Sequence, residues 1–129
     1  MSTTISGSNG IVFPDATSMQ TGQQACKAWV NFNGTSTVSI RAGYNVSSIT
    51  DNAVGNYTVN LTTAMPDVDY VATGDGTIVG ARTAGLAFNV NAADGALVAP
   101  TTSALRISAY NSDGSAATDF NYVYVAIFR

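Results

Sequence analysis

Histidine and glutamate are both missing from this 129-residue sequence. Without histidine, Ser-His-Asp and Cys-His catalysis are excluded, along with the commonest zinc ligand. Without glutamate, all eight acidic residues are Asp, so any paired-carboxylate chemistry must be Asp–Asp. Cysteine occurs once, at Cys26, which leaves no disulfide within these residues and reads as a small packed side chain. Charge is scarce: Lys27 and four Arg oppose the Asp residues, charged residues are 10% of the composition, and the formal net charge is -3. Nothing in that balance attracts nucleic acid or an anionic membrane. The opening MSTTISGSNG has no basic region and no long apolar run, so it does not read as a secretory signal, and no stretch is long enough to span a bilayer. The expectation is folding in a cytosol, with no nucleic acid, no membrane insertion, no cofactor and no metal.

What is present favours strands. Val and Ile together outnumber Leu by 20 to four, and Thr, Ser, Asn and Gly fill much of the remainder. β-Branched side chains suit a pleated sheet, whereas the straight side chains that favour helices are few. Hydrophobic residues are 46% of the chain, enough for one folded domain with a core of its own.

Alternation then marks the strands. CKAWVNFNG (26–34) turns Ala28, Val30 and Phe32 one way and Trp29 the other, with Asn33-Gly34 as a hairpin signal. TVSIRAGYNV (37–46) alternates Val38, Ile40, Ala42, Tyr44 and Val46, and 47–63 reads as a half-buried hairpin with its turn at Asp51–Gly55. VDYVAT (68–73) predicts a strand, and GDG (74–76) predicts the turn that ends it. TIVGAR (77–82), LAFNVNA (86–92) and ALRISAY (104–110) read as further strands, with loops at 93–103 and 111–118. The last segment, 119–128, is apolar on both sides. Phe120, Tyr122, Tyr124, Ala126 and Phe128 fall on one, Val123, Val125 and Ile127 on the other. Such a strand predicts burial on both faces, one in the domain core and one against a second sheet or a neighbouring subunit. Trp29 is likewise expected in an intersheet or intersubunit core. Short strands at regular spacing predict an all-β antiparallel sandwich. Residues 1–25 divide off as a connector and 26–129 as a head domain. The apolar Ile11, Val12 and Phe13 cannot stand alone in water as a strand. They must join the domain edge or meet copies of themselves.

Few residues carry chemistry. Asp67 and Asp69 are a close carboxylate pair in sequence, and on a strand they would lie on one face, about 7 Å apart. That spacing suits glycoside hydrolysis or a cation, but a turn residue and a strand start explain the pair better. Asp75, Asp94 and Asp113 each precede a glycine, which is turn chemistry, and no calcium-loop spacing surrounds them. No phosphate-binding loop or dinucleotide fingerprint is present. Catalysis is therefore not expected. Loops are where a sandwich binds. Three of them offer contact groups: 74–85 with Asp75 and Arg82, 92–103 with Asp94, and 110–118 with Tyr110, Asn111 and Asp113.

Two stretches resemble a known family. GIVFPDATSMQTG (10–22) resembles the short connector ahead of terminal domains in tail fibres of tailed bacteriophages. Residues 27–71 and the closing NYVYVAIFR resemble the terminal domain of such tail-fibre and virion structural proteins. Residues 72–118 match in character alone. The resemblance implies a virion structural protein located in the tail and made in the host cytoplasm. It implies a short tail fibre or fibre tip that adsorbs to the host. A non-receptor virion component, such as a head decoration or baseplate protein, is the alternative. The partners implied are two further copies in a homotrimer, other tail or baseplate proteins, and a host surface glycan or protein receptor. Ile11, Val12 and Phe13 would then pack around the trimer axis. The domain here is nearly the whole sequence, whereas in the family it ends a longer chain.

Overall fold

A computed structural model describes residues 4–6, 10–12, 18–19, 25–80, 85–111, 114 and 116–129, the first three segments by backbone course alone. Three short strands, β1 (Thr4–Ser6), β2 (Gly10–Val12) and β3 (Ser18–Met19), form an antiparallel sheet with β2 in the middle. Ile11 and Val12 therefore add to a small sheet of their own and not to the edge of the main body; Phe13 lies outside the described residues.

The main body is the expected antiparallel sandwich. Its strands are β4 (Cys26–Asn33), β5 (Ser39–Tyr44), β6 (Val46–Ala53), β7 (Asn56–Leu61), β8 (Val71–Thr77), β9 (Gly85–Phe88), β10 (Ala104–Tyr110) and β11 (Tyr122–Phe128). They form two four-stranded sheets, a front sheet in the order β5-β4-β11-β8 and a back sheet in the order β6-β7-β10-β9. No helix occurs among the described residues.

Alternation builds the core, because successive side chains on a strand point to opposite faces. Ala28, Val30, Phe32, Val123, Val125 and Ile127 enter from the front, and Tyr57, Val59, Leu61, Leu105, Ile107 and Ala109 from the back; all are buried. Phe32 meets Tyr57 edge to face, ring centroids 5.3 Å apart. Phe120 and Met65, outside the strands, fill the two ends. Cys26 pairs with Phe128, so the chain enters the sandwich beside its last strand, at what is here called the entry end. The opposite, far end holds Gly34, Gly55 and Asp119. There Asp119 Oδ1 accepts from the Gly55 N–H and from the Tyr57 hydroxyl, both at 2.7 Å. Burial first, and the bond to Asp119 second, push the Tyr57 phenol up from its ordinary value. Gly55 has φ 61, and a Cβ there would strike the Ala109 carbonyl and the Thr118 amide, so the turn admits only glycine.

Three expectations are corrected and a fourth is narrowed. The GDG at 74–76 is not a turn: β8 runs through it to Thr77, paired along its length with β11. Those glycines are there for space. A Cβ at Gly76 would strike the Phe120 ring, and one at Gly74 the Tyr124 carbonyl, with Leu86 and Phe88 close by. The chain then turns at Val79-Gly80, with φ 89 at Gly80, where 77–82 reads as a strand. β9 stops at Phe88 because Asn89 takes φ 59 and redirects the chain across the outside of the back sheet. Finally, no second sheet covers the outer side of β11 among the described residues: Tyr122, Tyr124 and Phe128 are exposed in the single chain, and so is Trp29 beside them, which is not in the intersheet core, leaving a neighbouring subunit as the expected cover. Phe120 alone of that set is buried, since it precedes the strand.

The candidate binding surface

The front sheet presents its outer side chains as rows, one per paired register. One row runs Tyr44, Trp29, Ala126, Thr73 across β5, β4, β11 and β8; the next runs Ala42, Asn31, Tyr124, Asp75. Trp29 is 42% exposed and Tyr124 43%. Tyr122 and Tyr124 lie two residues apart on one side of β11 and stack, centroids 6.2 Å apart and planes within 15°. A register shift between Asn31 and Phe32 leaves Arg41 as the unpaired residue of β5, and its guanidinium lies 4.0 Å from the Tyr122 ring centroid. Between Trp29 and Tyr124 the surface dips into a groove of about 570 Å³ whose floor is the small side chain of Ala126. Asn31, Thr73 and Asp75 are among the other residues that line it. Such a concentration of exposed rings on a folded domain marks an interaction surface.

Charge is arranged sparingly around it. Asp75 Oδ1 accepts from the Gly76 N–H at 2.7 Å, which leaves the rest of its carboxylate at the groove rim. At the entry end Arg129 binds Asp67 through two parallel bonds of 2.7 Å, the one ion pair among the described residues. The Arg129 bonds hold the Asp67 carboxyl below the ordinary range, and Asp67 also accepts from the Asp69 N–H. The Asp67 carboxylate is thus engaged by the turn and by Arg129, and Asp69 takes part through its backbone N–H. No group of three or more metal-ligating side chains occurs among the described residues.

The residues expected at binding loops are dispersed. Asp75 sits on a strand of the front sheet, not in a loop. Asp94 lies on the segment folded over the back sheet, its Oδ1 accepting from the Ala96 N–H. Tyr110 and Asn111 stand at the far end, where Tyr110 pairs with Gly85 and Ala117 and the Asn111 carboxamide accepts from the Ala116 N–H. Arg82 and Asp113 lie outside the described residues. The groove residues Asn31, Thr73 and Ala126 escape the sequence reading. Their signal is the double-sided apolar pattern of YVYVAIF, whose second side is the surface described here.

Searches against protein-family models, curated proteins and solved structures return no match for this chain.

Proposed function

We propose that this chain is a virion structural protein of a tailed bacteriophage, a short tail fibre or fibre tip whose head domain adsorbs to the host surface. The observation that supports it best is the open aromatic face of the front sheet. Trp29, Tyr122 and Tyr124 stand on a closed hydrophobic sandwich and face solvent. A domain that binds rather than catalyses needs a rigid frame and a surface of this kind, with no titrating pair between. The sequence resemblance over residues 27–71 and the closing strand supplies the setting. In that setting residues 1–25 connect the head to the particle, and the copies assemble as a homotrimer about Ile11, Val12 and Phe13. Fully burying each such side chain is worth about 1.5–3 kcal/mol. Tyr110 and Asn111 are a secondary contact region at the far end. Asp75 belongs with the aromatic face.

The purified protein is expected to compete with the phage for host cells and to lower adsorption in proportion to its concentration. Adsorption unchanged at saturating protein would defeat the receptor role. The same aromatic face also suits a protein partner inside the particle, which is the head-decoration or baseplate reading. Localisation by cryo-electron microscopy separates the two, because a receptor-binding head must sit where its front sheet faces outward. Light scattering at low micromolar concentration tests the trimer, and a monodisperse monomer would overturn it.

A further inference from the structure

We propose that the groove between Trp29 and Tyr124 binds one ring of a neutral hexose chain. This deepens the adsorption reading and rests on it. Trp29 faces Ala126 across β4 and β11, and Tyr124 is two residues before Ala126 on the same side. The two residues are therefore diagonal neighbours, their strand positions about 7–8 Å apart, with the Ala126 methyl group beside both. A pyranose ring has an apolar C–H face and a rim of hydroxyls. It fits a slot with aromatic walls and an apolar floor, and its hydroxyls then meet polar groups at the edge. Those groups are present: the Asp75 carboxylate and Thr73 hydroxyl on one side and the Asn31 amide on the other. Asn31 Oδ1 is buried without a hydrogen-bond partner, so a rotation of that amide toward the groove gives it a hydroxyl donor. Asp75 at the rim and a net charge of -3 select against anionic sugars.

A second copy of the chain is the weaker candidate for this face. Four strands about 4.8 Å apart and one seven-residue strand give the whole face a footprint of about 450 Å². A stable association buries about 800 Å² on each partner. Docking copies face to face would also take Asp75 out of water. One shallow groove binds one sugar weakly, and a fibre carrying several heads gains strength by repetition.

The test uses the full chain and printed trimers of glucose, galactose and mannose, with a sialylated trimer as control. Intrinsic fluorescence follows Trp29, the single tryptophan. The expected result is saturable binding to at least one neutral trimer with a shift of Trp29 emission, and none to the sialylated one. Tyr124→Ala is expected to weaken it at least tenfold and Asp75→Asn several-fold, at unchanged melting temperature. Exchanging residues 110–118 for Gly-Ser is expected to leave it intact. Should the protein block phage adsorption while no neutral trimer binds, or while Tyr124→Ala blocks equally well, the groove assignment fails and the adsorption reading stands. Should it neither bind the panel nor block adsorption, both fail. A Trp29 emission that shifts with protein concentration alone would mean that a second copy occupies the face, and would overturn the proposal.

Discussion

On the back sheet the outward side chains bond to one another. Asn60 donates to Ser48 and Thr50, and Asn52 donates to Thr58. Further along, residues 89–98 fold over β7 and β10 and tie down what lies beneath. Asn56 donates to Asn91 and accepts from Arg106, and the Ser108 hydroxyl donates to the Val90 carbonyl, all at 2.7–2.8 Å. On the front sheet the corresponding positions hold Trp29, Tyr122 and Tyr124; the two tyrosines stack on each other and Arg41 lies over Tyr122. One outer face has spent its hydrogen-bonding capacity inside the chain and the other has kept its surface. Both rest on the same core, so the difference lies in the outward residues each sheet carries and not in how the sheets are made.

That contrast can be broken at its foundation by Phe120→Ala. The ring fills the far end beneath both sheets and is expected to cost about 3–5 kcal/mol in denaturant unfolding. A loss under about 1 kcal/mol would show that the two sheets do not share it. Asn56→Ala comes next. It removes the bonds to Asn91 and Arg106 and leaves a guanidinium short of acceptors under the flap, for a loss of about 1–3 kcal/mol. Amide exchange of residues 89–98 should quicken in the same variant. Tyr124→Ala, on the other face, is expected to change stability by no more than about 1 kcal/mol, since the side chain is 43% exposed and lies outside the core. Equal losses for Asn56→Ala and Tyr124→Ala would erase the distinction drawn between the faces.

The smallest effect belongs to the clasp at the entry end. The Asp67 carboxyl is held below its ordinary 3.8 by Arg129, so the pair's contribution is present above that value. It is lost as pH falls through the lowered value in the folded state. Melting temperatures of the wild type and Asp67→Asn should therefore differ slightly near neutrality and converge as acidification passes the lowered folded-state value. Both partners are partly exposed, so the gap is modest and narrows in salt. A gap that widens on acidification would contradict the assignment.

Much of the sandwich was legible in alternation. ALRISAY is β10 to the residue, and the buried set Ala28, Val30 and Phe32 stands as read, while the hairpin over 47–63 forms with a tighter turn than Asp51–Gly55, because β6 continues to Ala53. What failed did so for one recurrent reason: residues that favour turns were serving a neighbour. Gly74 and Gly76 look like a turn because glycine permits one, yet they lie flat in β8 to admit Phe120, Leu86 and Phe88, which are distant in sequence. Asn89 does the converse, ending an apolar alternation early by taking a positive φ. The aromatic face was half legible. The pattern of the last strand announced a second apolar side but not whether anything in the chain covered it, and Ala126 in the groove floor has no signal apart from its neighbours in space.

The position of β4 has a mechanical consequence. It is the first strand of the sandwich, entered at Cys26, and it lies inside the front sheet with β5 on one side and β11 on the other, antiparallel to both. Tension applied through Cys26 along the strand axis loads the hydrogen bonds on both flanks at the same time, in shear, instead of peeling them one after another from an edge. The walls of the groove, Trp29 and Tyr124, stand on β4 and β11 themselves. A pull between a ligand held there and the residues preceding Cys26 would thus pass across one paired ladder, leaving the flap, the turns and the whole back sheet outside the path of the force.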